Sequence, residues 1–464
     1  MSYNLYIEVE VFKRDFESRF FLALEAAHKG FDVYLAHRNQ IVFDSLSKKF
    51  KPGIIHRKDA NSSPNEIKIY KKLKELGFII TAMDEETGII FDDFEIFYKL
   101  RFSKGESLKY IDNFFCWGPK DFDFFVNKFP NIKNKFINSG CPRVDMCKPY
   151  FIKNQIGKYK QKNNIKKKYI LFASNIGCVL ALKNFPDRIE QQLIGNDSTV
   201  APFLEQYEYE NEVKSIQLGY EFVKLIRYLS DKLKDKDIDI VIRPHPNEIH
   251  EDWLKLLGKI NDNVFLINKG TLKDSISDAE VIIQHGCTSA IKSFIMEKPL
   301  ISFVPISFKK RDHYDIPNNL GVKIETKEEV LDYILSGEYK KQDKNLRIKK
   351  SQELEKSLNN IYDSHAYEVI ISQWINLRKK LISESNFYYE KRLSTIKFKN
   401  YIKKIIKKLF YNPKKQDVFN RKFPEFDKDF VLDKKNYYSN IFNNRYDDIN
   451  INFIESRLIS LKKK

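Results

Sequence analysis

AEVIIQHGCTSAIKSFIMEKPLISF (residues 279–303) decides how this chain is read. An apolar, β-branched run stops at Gln284-His285-Gly286, a helical pattern follows with Ala290, Ile291, Phe294 and Ile295 on its buried side, and the apolar run PLISF closes the stretch. Strand, helix and strand in that order predict a parallel crossover unit. Gly286 lets a ligand approach the backbone, and Cys287, Thr288 and Ser289 open the helix. Free N–H groups at a helix start attract anions, and the two hydroxyls can add donors. Ordinary N-capping by Thr288 or Ser289 accounts for the same residues.

Upstream, VIRPHPNE (241–248) ends another strand. Two prolines flank His245, fix the backbone and remove donors, so the stretch forms a rigid ledge rather than a helix start. Arg243 and His245 offer donors to a phosphate or carboxylate at the strand's carboxyl end, where α/β proteins bind ligands. Pro246 belongs to the same ledge, and Glu248 can accept from a ribose or orient His245. Pairing of Arg243 with Glu248 merely to hold the loop is the alternative. Ser174 and Asn175, in FASNIG (172–177), can form a third wall. These elements predict an α/β domain over 169–345 with strands near 169–174, 238–243, 263–267, 279–285 and 299–304.

The first 150 residues repeat the alternation, with strands at 4–11, 31–37, 78–84, 114–118 and 135–140. Asp84, Glu85 and Glu86 follow one of them and are expected on a loop at a sheet edge. Glu17 lies at the start of the first helix among Lys13, Arg14 and Arg19, which can bind an anionic acceptor or a donor carboxylate. Arg143 and Asp145, in GCPRVD, either face a ligand or brace one another. Residues 151–168, mostly polar and basic, predict a linker. Two such α/β domains in tandem are expected to face each other across a cleft.

The tail, 346–464, is expected to be a helical, basic extension. From Lys391 to Lys408 there are eight Lys/Arg and no acidic residue, and IKKIIKKLF alternates apolar and cationic pairs. Over 391–410 that pattern suits an anionic bilayer surface, or else a solvated lysine face on a packed helix. The formal charge of +18 favours anionic partners, yet no nucleic-acid-binding motif is present. Five cysteines without CxxC spacing read as free thiols of a reducing compartment. The opening is charged by residue 8 and no long apolar run occurs, so neither a signal peptide nor a membrane span is expected. A cytoplasmic protein, peripheral on the inner membrane face, is the implied location. Neither His245 with His250 nor the DxD strings at 121–123 and 235–239 has the setting of a metal site.

The opening IEVEVFKRDFESRFFLALEAAHKGFDVYLAH, MDEETG (83–88), FFCWG (114–118), SGCPRVD (139–145), IRPHPNE (242–248) and QHGCTSAIKSFIMEKPLISF (284–303) together resemble the bacterial surface carbohydrate biosynthesis proteins. The resemblance covers most of 1–305 and implies a GT-B-like fold, two Rossmann-like domains with parallel sheets facing a central cleft. His245-Pro246 and Thr288-Ser289 are similar to features that bind the phosphate and ribose of CMP-sugars in sialyl- and Kdo-type transferases. They also resemble features of teichoic-acid-type polyol-phosphate transferases, which use CDP-linked donors. The implied activity is metal-independent, inverting transfer of a sugar, Kdo or another 2-keto-3-deoxy sugar acid, from a CMP donor to a capsule or lipopolysaccharide glycan. Glu85 is the first choice of base, then Asp84, with Glu86 and Glu17 behind them. No cofactor beyond the nucleotide-sugar donor is implied. A CDP-polyol phosphotransferase, a UDP-sugar 2-epimerase and a non-catalytic scaffold remain the alternatives.

Overall fold

The structure, a computed structural model, describes residues 3–85, 94–102, 104–174, 202–245, 248–306, 315–341, 343–362, 364–384, 419–420 and 422–464. The chain forms two compact units. The first takes its described residues from 1–88, 94–146 and 355–464, the second mainly from 147–354.

In the first unit, strands β1 (Tyr3–Val9), β2 (Phe31–His37), β3 (Ile54–Arg57), β4 (Ile79–Met83), β5 (Asn113–Cys116) and β6 (Phe136–Asn138) are parallel. In the second, β7 (Lys168–Ala173), β8 (Ile238–Arg243), β9 (Val264–Leu266), β10 (Val281–Gln284), β11 (Leu300–Phe303) and β12 (Val322–Ile324) form a parallel sheet ordered β12-β11-β10-β7-β8-β9. Parallel strands are covered on both faces, so they read as unbroken apolar runs. IDIVIR of β8 is such a run, with Ile240 and Ile242 packed beside Leu225, Leu229, Trp253 and Ile283. Each side chain buried in this way contributes roughly 1.5–3 kcal/mol. Two Rossmann-like units thus stand where a GT-B-like pair was implied.

The expected linker is not one. Residues 158–162 form a short helix in the second unit, with Tyr159 and Ile165 buried. The Asp278 carboxylate accepts from the N–H groups of Gly157 at 2.5 Å and Lys160 at 2.9 Å. The polar composition hid this because the segment is fastened through its backbone.

The tail is also different from its expectation. It returns to the first unit, where β13 (Ile449–Glu455) and β14 (Leu458–Lys463) form a hairpin that pairs antiparallel with β2. The full order of that sheet is β13-β14-β2-β1-β3-β4-β5-β6. The helix Lys428–Ile441 lies on the first helix, Phe12–His28, with Phe430 against Phe16 and Tyr438 against Phe21. Asn359, Asn360 and Tyr367 also fasten to this unit. Asn359 donates from its backbone N–H to the Trp117 carbonyl at 2.7 Å, and Tyr367 donates to the Asp145 carboxylate at 3.0 Å. Gly118 and Gly140 make this fastening possible, because a Cβ on either would lie within 2.4 Å of backbone atoms of Ser357 or Asn359. The run 391–410 lies outside the described residues.

Removing everything after residue 385 deletes two strands and buried Phe423, Val431, Tyr438, Tyr446, Leu458, Ile459 and Leu461. At roughly 1.5–3 kcal/mol each, that loss matches the whole stability of a typical domain. The truncated protein is expected to lose the cooperative melting of its first unit, followed by circular dichroism.

Candidate functional site

In the second sheet β7 connects to β8 on one side, whereas β10 pairs with β7 on the other. This is a topological switch point, the place where open parallel sheets bind ligands beyond their carboxyl ends. The residues delivered there are Ser174 after β7, His245 and Glu248 after β8, and Gly286 to Ser289 after β10.

Glu248 organises the first two strand ends. Its buried carboxylate accepts from the Ser174 hydroxyl at 2.8 Å, the His245 backbone N–H at 2.8 Å and the Trp253 indole at 2.9 Å. Burial raises its pKa, and these hydrogen bonds pull the other way. It therefore fixes the ledge through the backbone of His245, whose side chain is half-buried. Arg243 does not pair with Glu248. Its buried guanidinium donates to the carbonyls of Ile267 at 3.3 Å, Lys269 at 2.6 Å and Gly270. Arg243 staples the loop after β9.

The β10 turn also differs from an open anion cradle. Gly286 has φ +55° and donates to Asn318 at 2.7 Å, Cys287 donates to the Gln284 side chain at 2.9 Å, and Ser289 donates to the Cys287 sulfur at 3.4 Å. Gln284 and Asn318, which no sequence pattern singled out, thus satisfy the terminus from within. Burial raises the Cys287 pKa, so the thiol is neutral. The Ser289 hydroxyl is buried and meets no geometric hydrogen-bond partner among the described residues, and Thr288 makes no side-chain cap and is exposed. N-capping therefore does not account for this pair. Asn175 and Pro246 lie outside the described residues.

The acidic loop of the first unit is closed by ion pairs. Glu85, 3% exposed, lies 2.5 Å from Nη2 of Arg19 and 2.8 Å from Nε of Arg143, and Arg143 also donates to its carbonyl. Asp84 takes two hydrogen bonds from Arg101, at 3.0 and 3.1 Å, and its carbonyl accepts from the Trp117 indole at 2.9 Å. As placed, both carboxylates are engaged by arginines. Arg19 and Arg143 are equally committed. Glu17 accepts from Lys434 at 2.7 Å and Tyr438 at 2.9 Å, so it anchors the tail. Lys13 is exposed, and Arg14 is bound to Asp15 at 2.6 Å. Asp145 accepts from the Tyr367 backbone N–H at 3.0 Å. Glu86 lies outside the described residues. Among the described residues no group of three or more His, Cys, Asp or Glu side chains is placed to hold a metal ion.

No family model matches this chain, and no curated protein does. Among solved structures it is similar to the UDP-GlcNAc 2-epimerase of Neisseria meningitidis bound to UDP-GlcNAc, at 11% identity, covering 81% of this chain and 100% of that one, with a TM-score of 0.46. It is similar to the S. aureus MnaA–UDP structure at 13% identity, 83% and 98% coverage and a TM-score of 0.47. The wall teichoic acid polymerase TagF with CDPG gives 12% identity, 82% and 89% coverage and a TM-score of 0.47.

Glu85→Gln removes the charge shared by two buried guanidiniums. Breaking a buried pair in this way costs about 3–5 kcal/mol. Urea denaturation is expected to show that loss, and a midpoint equal to the parent's would refute the structural role.

Proposed function

We propose that the second unit binds a cytidine nucleotide and that the chain is a metal-independent GT-B-type glycosyltransferase acting on a surface glycan with a CMP-linked donor. The observation that carries this reading is the convergence of Ser174, His245 and Glu248 with the Gly286–Ser289 turn beyond β7, β8 and β10. In this reading the His245 ring and the exposed Thr288 hydroxyl stabilise the departing phosphate. Glu248 holds the ledge, and the Ser289 hydroxyl gains a partner when the turn closes on the ligand. The preference for cytidine rests on the likeness of His245-Pro246 and Thr288-Ser289 to CMP- and CDP-using transferases. The acceptor's proton passes to a carboxylate of the acidic loop, Glu85 before Asp84.

The test is thermal melting with CMP, CDP, UMP, UDP and GDP. Cytidine nucleotides are expected to raise the melting temperature by mass action, and a response to uridine nucleotides alone would favour epimerase-like chemistry. His245→Ala is expected to melt like the parent without ligand and to bind CMP more weakly by roughly 1.5–3 kcal/mol, measured by calorimetry. Equal CMP affinity in the two proteins would remove His245 from the site.

We also propose that 391–410 attaches the protein to anionic membrane surfaces. The pattern of eight cationic residues among Ile402, Ile405, Ile406, Leu409 and Phe410 supports this. Glutamine at 403, 404, 407 and 408 is expected to leave melting unchanged and to reduce co-sedimentation with anionic vesicles at low salt, by up to about 1 kcal/mol per lysine. Unchanged sedimentation would reject the attachment.

A further inference from the structure

The edge of the first sheet holds a second charged group, which adjoins the Asp84 pair where Arg101 Nη2 lies 3.9 Å from the Asp59 carboxylate. Along the order β2, β1, β3, the residues just beyond the strand ends are Arg38, Glu10 and Lys58, and Arg14 stands in the first turn of the helix Phe12–His28. Lys58 Nζ is 2.6 Å from the Glu10 carboxylate, Arg14 Nη2 is 3.5 Å away and Arg38 Nη1 3.9 Å. Three cations therefore converge on one carboxylate, whose side chain is still 27% exposed.

None of the three depends on Glu10 for its position. Asp15 holds Arg14 through contacts of 2.6 and 3.2 Å, Glu66 holds Arg38 at 2.7 Å, and Asp59 lies 3.1 Å from Lys58 and 3.6 Å from Arg38. Asp15 and Asp59 are buried and Glu10 is not. The topology supplies an independent pointer. From β1 the chain runs to β2 on one side and then returns to β3 on the other, so Glu10 and Lys58 flank the switch point of this sheet.

We infer that Arg14, Arg38 and Lys58 form a binding site for a substrate oxyanion, a carboxylate or a phosphate, and that Glu10 occupies this site until the ligand displaces it. An oxyanion offers these donors the same kind of acceptor that Glu10 offers. The exchange keeps the local charge balance, because the carboxylate that leaves is already part-exposed to water. Buried partners hold the cations in place beforehand, so a ligand does not have to order them. The site lies wholly in the first unit and goes beyond the nucleotide reading, which concerns the second.

Calorimetry on the full chain at low salt, with inorganic phosphate and galacturonate as separate probes and galactose as the neutral control, tests this. Glu10→Gln removes the competing charge, and one oxyanion is expected to bind about tenfold tighter than to the parent, with the gain lost at high salt. The probe that gains identifies phosphate or carboxylate as the ligand group. Glu10→Gln/Lys58→Met is expected to lose the gain, and if it fails to melt cooperatively, Glu10→Gln/Arg14→Gln is read in its place. A Glu10→Gln protein that fails to fold, that binds neither probe more tightly, or whose gain survives high salt or the second substitution overturns the proposal.

Discussion

A charged side chain that leaves water must bring its counter-charge with it, and the carboxyl edge of the first sheet is built on that constraint. Arg19, Arg57 and Glu8 are each within 1% of complete burial, and each meets an opposite charge at 3.0 Å or less. Asp59 shows the balance in one group. Burial pushes its pKa up, yet Arg38, Lys58 and Arg57 outweigh that and hold it below the usual range. Because Glu8 lies in β1, Arg57 in β3, Arg38 just after β2 and Asp59 just after β3, the ion pairs fix the ends of these strands relative to one another. The network adds little net stability over an apolar edge of the same shape. What it secures is geometry.

The edge of the second sheet meets the same constraint with fewer charges. Arg243 is stapled to carbonyls rather than to a carboxylate, and burial lowers its pKa. Glu248 is surrounded by neutral donors, and burial raises its pKa. The second edge thus relies on neutral donors and carbonyls, whereas the first sets Glu10 among cations.

Much of this was legible in the chain. Buried parallel strands are short apolar runs, and β2 and β8 fall on FDVYLAH and IDIVIR as expected. Two elements of the first sheet were not. IIHR of β3 carries two polar residues in four because His56 and Arg57 find partners in Thr81 and Glu8, a long-range fact that no local pattern carries. ININFIE of β13 alternates like a half-exposed strand but follows a lysine-rich stretch whose composition dominates the reading. Site residues followed the same division. The placement of His245 and Ser174 at strand ends was readable from prolines and strand limits, whereas the capture of Arg243 by residues 267–270 and of Glu85 by Arg19 and Arg143 depended on tertiary partners.

The tail shows why composition misled most where function was sought. A basic, aromatic-rich segment looks detachable, yet Tyr438 and Lys434 both meet Glu17, while Arg445 and Tyr446 meet Glu25. Those carboxylates project from the first helix, on turns that would otherwise place bare acids against Phe16, Phe20 and Phe21. The hairpin also covers the edge of β2, which would be an unpaired row of backbone donors and acceptors without it. The described part of the tail supplies counter-charge, apolar cover and edge protection to the first unit, so it belongs to that unit's fold.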